Sequence, residues 1–406
     1  MKKIDRALQG IRIIDLSHVL AGPTATMILA DIGAEVIHIE PPYGDDAREF
    51  GPFAGKADKN HSAYFASLNR NKKSMVLNLK QEKGKQILRR LIKISDVIIE
   101  NFKPETMPGL GFGWEEIQEI NPAIIYASIS GFGHDTPPEY TSRAAYDIVA
   151  QAYSGLMSIT GPEEGTPCRV GSSIGDIFAG HQAVIGILAA LMHRAKTGRG
   201  QYYDGSMVDG LFSVLENAVV RYTIGREIPK PLGTTHRSLA PFQSFRTKDD
   251  WIVIATGNDR IWAKLCTVIG REDLIKHPEF KTGHLRAENR KVLADLIESE
   301  TIKKTTKSWC RILERESIPY SPINNIRQIC EDACIKHRNM LVEIDQPQMG
   351  RIKISGSPLH LSETPGEVYA PAPLLGEHTE EILRDLLSCS AEEIAELKEA
   401  GVINNQ

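Results

Sequence analysis

Asp176 stands in the run Val170-Gly171-Ser172-Ser173-Ile174-Gly175-Asp176-Ile177-Phe178-Ala179-Gly180-His181, and the apolar stretch Ile185–Leu191 follows at once. Gly175 permits close backbone approach, and the apolar run reads as a buried helix with an acid at its mouth. Holding a carboxylate there is costly. One chemistry that needs it is nucleophilic: a carboxylate can accept an acyl group as a mixed anhydride. A Gly-Asp step before an apolar run is also the signature of a helix N-cap. Caps outnumber nucleophiles, so the residue pattern alone favours the cap.

Two other constellations carry less. Cys330, Cys334 and His337 fall at helical spacing, but no fourth ligand stands nearby to close a zinc site, so they read as small buried thiols on a helix. Gly109-Leu110-Gly111-Phe112-Gly113-Trp114 lacks the third glycine of a dinucleotide-binding turn and does not follow the first strand, which argues against hydride transfer.

The elements that would position Asp176 alternate along the N-terminal third. Ile11–Leu16, Glu35–Glu40, Ser74–Leu79, Asp96–Glu100 and Ala123–Ile129 read as strands. Helices are expected from Pro23 to about Gly33 and from Gly84 to Ile94. Short connections in a strand-helix-strand repeat imply an α/β fold with a doubly wound, Rossmann-like parallel sheet, its ligand at the carboxyl ends of the strands. Beyond Gly200 the character changes. Val208–Ile224 reads as one long helix, Gly225–Leu239 as loop, and Asp250–Ala255 as the strand that opens a smaller α+β unit. The division expected is 1–220 for a large domain, 221–340 for the smaller one and 341–406 for a return to the large domain.

At 406 residues, one core is not expected to suffice. A net charge of −4 offers no electrostatic case for nucleic acid or an anionic membrane. Met1–Arg6 is basic with no apolar run behind it, and no segment reads as a membrane span. Six thinly spread cysteines suit a reducing, cytoplasmic setting.

Three ordered blocks resemble the class III CoA-transferase family, which includes carnitine and formate CoA-transferases. The first is Ile13–Pro23 with Leu29–Glu40. The second is Glu100-Asn101-Phe102-Lys103-Pro104 with Gly131-Phe132-Gly133. The third is Tyr146-Asp147, Gln151–Gly155, Gly175-Asp176 and Lys196–Gln201. The resemblance tips the balance at Asp176 away from the cap: it implies an aspartyl nucleophile that forms an anhydride and then an aspartyl-CoA thioester. It implies CoA contacts at His18, Leu20, Ala21, Leu77, Lys80, Asn101, Phe102, Lys103 and Tyr146. It further implies an interlocked homodimer, acyl-CoA and a small carboxylic acid as substrates, coenzyme A as substrate rather than a tightly held cofactor, and no metal. The stretch His236–Gln243 is similar to that of members acting on dicarboxylates, so succinyl-CoA is the first donor to consider.

Two departures stand out. An arginine that several members carry after the Asn-Phe step is replaced here by Met107–Leu110, leaving Arg48 and Arg143 as candidates for the CoA diphosphate. The mobile glycine-rich loop of the formate enzyme is replaced by His236–Phe242. An alternative on the same fold is α-methylacyl-CoA racemase, which needs two acid/base groups about the α carbon. Racemases place a histidine where this chain has Tyr146, and a phenol of reference pKa ~10 is a poor base at neutral pH.

Overall fold

The computed structural model describes residues 6–55, 61–141 and 143–404. Its larger unit is built on six strands: β1 (Arg12–Asp15), β2 (Glu35–Glu40), β3 (Lys72–Val76), β4 (Val97–Glu100), β5 (Ile125–Ser130) and β6 (Tyr202–Ser206). They are ordered β3-β2-β1-β4-β5-β6, and every neighbouring pair is parallel. The order reverses direction between β1 and β4, where open α/β sheets place their ligands.

Both faces of the sheet are covered, which is why its strands read as near-continuous apolar runs. Ile13, Val36, Ile99 and Ala127 face the helices α1 (Ala21–Asp31) and α4 (Ile174–Thr197). Ile14, Ile37, Met75 and Ile98 face α2 (Glu82–Lys93) and the C-terminal stretch around Ile382, Leu397 and Ile403. Adjacent Ile13 and Ile14 thus serve opposite layers, as the strand period of two requires.

Several expectations shift. Helix α1 opens at Ala21, with Pro23 inside the first turn, where a missing N–H costs nothing. Strand β3 begins at Lys72 and ends at Val76, because Lys72 and Ser74 are buried by polar pairing that hydropathy does not register. Strand β6, Tyr-Tyr-Asp-Gly-Ser at the sheet edge, is an addition to the expected strands and carries no apolar run to mark it. The long helix expected over Val208–Ile224 is broken into α5 (Met207–Ser213) and a short helix Asn217–Thr223, since Glu216 adopts φ 52°, which no right-handed helix continues.

Helix α4 is 24 residues, long and apolar enough by length and composition to cross a membrane, where the sequence suggested no such segment. It packs along α1: a Cβ at Gly180 would lie 2.7 Å from the Ala21 carbonyl oxygen, so glycine sets the spacing of the two helices.

The chain divides into two compact units, one of residues 1–156, 169–217 and 333–406, the other of 157–168 and 218–332. The excursion 157–168 belongs to the smaller unit, which the expected division placed in the large one. The smaller unit holds a three-stranded antiparallel sheet, β7 (Phe242–Arg246), β8 (Trp251–Ala255) and β9 (Tyr320–Pro322), around Phe245, Trp262, Leu265 and Trp309. The run holding Cys330 and Cys334 breaks at Asp332 between two short helices, and Cys334 is exposed, so the reading of buried thiols on one helix is overturned.

The returning segment is tied to the large unit by Asn71. Its side-chain oxygen accepts the N–H groups of Tyr369 and Ala370 at 2.8 Å each, and its amide donates to Asp31 and to the Glu367 carbonyl.

Candidate active site

The turn after β1 and the turn after β4 meet at the switch point. The Asn101 side-chain oxygen accepts the His18 N–H at 2.8 Å, and its amide donates to the His18 carbonyl at 2.9 Å. One side chain therefore fixes both backbone polar groups of a loop residue. The next residue, Val19, adopts φ 64°, a conformation that a β-branched side chain takes only under constraint. Its N–H is held by the Asp45 carboxylate at 3.2 Å. The His18 ring packs on Phe102 with centroids 5.2 Å apart. Burial depresses its pKa, and Nδ1 has no partner among the described residues.

Two cavities flank this pair. One, of about 300 Å³, is lined by His18, Leu20, Ala21, Asn101, Phe102 and Lys103 together with Arg143, Tyr146 and Asp176. The other, of about 420 Å³ and mostly apolar, is lined by His18, Leu77, Lys80 and Phe102 among others. Asp176 and the nine expected CoA contacts thus each border one of two cavities that share His18 and Phe102. Lys80, Lys103 and Tyr146 are exposed, whereas Ala21 and Leu77 are buried.

Asp176 is not the cap of α4. Ser173 occupies that position without a side-chain cap bond, and Asp176 lies in the first turn. The cap-like role belongs to Asp147, at the start of α3 (Asp147–Tyr153). Its Oδ1 accepts the Gly175 N–H at 2.8 Å and its Oδ2 accepts the Gln151 amide at 2.7 Å, while the Gln151 oxygen takes the Val170 N–H at 2.9 Å. A Cβ on Gly175 would come within 3.0 Å of Asp147 Oδ1, so glycine is what lets the carboxylate close in.

No hydrogen bond reaches the Asp176 carboxylate among the described residues. Burial, then the negative charge of Asp147, push its pKa up to about 7. This is a carboxylate poised between its two states near neutrality, and hence unusually basic for its type. At the start of α4 two backbone N–H groups are already engaged: Ile174 N–H goes to the Ser172 carbonyl, and Gly175 N–H to Asp147.

Sequence reasoning missed two features. Tyr64, on the short helix Ala63–Leu68, feels Asp176: burial, then the charges of Asp176 and Asp45, raise its phenol to about 12. No local motif marks it, because the approach is made across the fold. Behind the β1 turn lies a buried charge cluster. Lys72 Nζ reaches Asp15 Oδ2 at 3.1 Å and Asn69 Oδ1 at 2.9 Å, and His38 lies 3.4 Å from Asp15 and 3.6 Å from Asp45. Burial alone would raise the Asp15 carboxyl, but Lys72 and His38 hold it far below the ordinary range. Burial would likewise lower His38, yet Asp15 and Asp45 lift it to about 9. The polar run Asn69-Arg70-Asn71-Lys72 was the available signal.

Arg48, considered as a diphosphate contact, is otherwise committed. Its Nε and Nη2 form a fork on Glu40 at 2.6 and 2.7 Å.

The model of CoA-transferase family III matches residues 8–379, and the chain belongs to that family. It is 40% identical over 401 residues to the succinyl-CoA:glutarate CoA-transferase of Homo sapiens, covering 98% of this chain and 90% of that one. To the succinyl-CoA:mesaconate CoA-transferase of Haloarcula marismortui it is 39% identical over 381 residues, covering 93% and 96%. The crystal structure of a CAIB/BAIF family protein from Brucella suis superposes with a TM-score of 0.84 at 36% identity, covering 94% of this chain and all of that one.

Proposed function

We propose that the protein moves CoA from succinyl-CoA to a free dicarboxylic acid, with Asp176 as the nucleophile. The observation that carries this reading is the state of Asp176: a carboxylate without hydrogen bonds, of raised basicity, bordering a cavity with the loops that follow β1, β4 and β5. The relatives named for succinyl-CoA, glutarate and mesaconate support the substrate class.

One Asp176 oxygen attacks the thioester carbonyl, the C–S bond breaks, and CoA leaves as thiolate, giving a mixed anhydride. The thiolate then attacks the Asp176 carbonyl, releasing succinate and forming an aspartyl-CoA thioester. The acceptor carboxylate displaces the thiolate from Asp176, and the thiolate attacks the acceptor's acyl carbon, restoring the free Asp176 carboxylate. No net proton, electron or water is consumed, so exclusion of water protects every intermediate. In this reading Lys80 and Lys103 serve the CoA phosphates as mobile cations, and Leu77 and Phe102 serve its apolar arm. His18, Leu20, Ala21, Asn101 and Tyr146 complete the contacts.

The same reading includes a homodimer with interlinked chains. Ile185 and Met192 on α4 and Phe212 on α5 are large apolar side chains more than half exposed in the single chain, a surface that a second copy would cover.

Mass spectrometry of succinyl-CoA incubated with a panel of acids tests the function, and hydroxylamine trapping with peptide mapping tests the nucleophile. Transfer to glutarate or a similar diacid with label on Asp176 is the expected result. Racemisation of a branched acyl-CoA without exchange, or label on Asp147, overturns it.

A further inference from the structure

We infer that Arg143 holds the second carboxylate of a dicarboxylic substrate while the first reacts at Asp176. This deepens the function proposed above and rests on it. The cavity that contains Asp176 carries two permanent cations, Lys103 and Arg143. Lys103 also borders a smaller cavity beside Glu100 and Glu105, so acids already face it. Arg143 has no such company: among the described residues its guanidinium has no carboxylate within ion-pairing distance. Other arginines of this unit are committed, Arg70 to Asp31, Arg12 to Glu35 and Arg194 to Asp96.

Its position is nevertheless fixed. Arg143 Cζ lies 5.1 Å from the Phe132 ring centroid, 5.2 Å from Tyr153 and 5.9 Å from Tyr140. The three rings pack on one another, Phe132 on Tyr153 at 5.0 Å and on Tyr140 at 5.7 Å. An aromatic shelf orients a guanidinium through its π face while leaving its N–H edge for a planar acceptor. A carboxylate matches that fork with two parallel hydrogen bonds. The physical need is clear as well. Asp176 borders the cavity as a carboxylate, so the second charge of a dianionic acid gains from a fixed positive partner there, whereas an uncharged tail needs none.

The test is competition between glutarate and butanoate for the aspartyl-CoA intermediate formed from succinyl-CoA. The two acceptors partition after the donor acid has left, so donor effects cancel in the ratio of their kcat/KM values. Arg143→Gln is expected to lower the glutarate-to-butanoate ratio roughly ten- to hundredfold. Arg143→Lys, which keeps the charge but not the fork, should lower it less, and the affinity for free CoA by calorimetry should hold. An unchanged ratio in both variants overturns the inference. So does an equal loss for both acceptors with weakened CoA binding, which would place Arg143 on the CoA diphosphate. Should Arg143→Gln fail to fold, the Lys variant read with glutarate against its monoamide decides the matter. Absence of any CoA exchange in the unaltered protein would instead refute the parent proposal.

Discussion

The carboxylate of Asp147 accepts the backbone N–H of Gly175 at 2.8 Å and thereby sets a second negative charge beside Asp176. One acid is satisfied by the start of α4 and by Gln151. The other is left bare, and burial together with the charge of Asp147 raises its basicity. The pairing divides labour between two residues of one chemical type, as environment does elsewhere for catalytic carboxylates.

Activity should therefore follow the ionisation of Asp176. Only the anion is nucleophilic, and its pKa lies near 7, so kcat/KM should climb with pH through about 7 rather than about 4. Asp147→Asn removes the neighbouring charge and should move this limb to lower pH. A pH–rate profile of both proteins checks it; coincident limbs would separate Asp147 from the titration.

Stability should move the other way from activity. The folded pKa of Asp176 exceeds its unfolded value of about 4, so the folded state prefers the protonated form, and ionisation costs stability. The cost is absent below pH ~4 and complete above about 7. Asp176→Asn should thus abolish exchange yet stabilise the fold at pH 8 by on the order of 1–3 kcal/mol, with the gain vanishing near pH 4. Denaturant midpoints at the two pH values measure this.

His38 supplies the opposite dependence. Its folded pKa of about 9 lies above the unfolded value, because Asp15 and Asp45 outweigh burial, while Glu40 adds to them and Lys72 shares the cluster. Its stabilisation is fully present below about pH 6.5 and is lost as pH rises through about 9. Urea midpoints should fall between pH 7 and 9.5, and His38→Gln should flatten that fall.

Asn101 is the clamp on the β1 turn. Asn101→Leu leaves the His18 N–H and carbonyl without their partner and should cost about 1–3 kcal/mol at that loop. Acyl-CoA KM should rise more than kcat falls, with CoA affinity by calorimetry following KM. Unchanged CoA affinity would show that the loop holds its shape without the clamp.

How much of this was legible follows from the range of the forces involved. Apolar runs at β1, β2, β4 and β5 are local, so the parallel sheet could be read directly, whereas His18 and Asn101 were picked out by the family resemblance and the switch point between them emerged only with the strand order. At Asp176 the glycine and the helix alone pointed to a cap, and only the family resemblance singled the residue out as a nucleophile. Strand β6 was not legible, because an edge strand of Tyr-Tyr-Asp-Gly-Ser has no apolar signature. Nor could the Asp147–Gly175 bond or the Tyr64 approach be read, since each depends on elements brought together from afar. The Lys72 cluster shows the same limit: hydropathy places a lysine outside, and only the assembled partners make its burial tolerable.

The order in which the chain emerges during synthesis gives the divided large unit a temporal meaning. All six strands of its sheet are complete by Ser206, more than a hundred residues before the return begins. Until Ile382, Leu397 and Ile403 arrive, the face formed by Ile14, Ile37 and Met75 lacks its final cover. A nascent sheet in that state presents apolar surface to the ribosome's surroundings for the whole time the smaller unit is being made and folded. The last stretch of the chain acts as a latch, and Asn71, made early, waits for Tyr369 and Ala370 as the point where it closes.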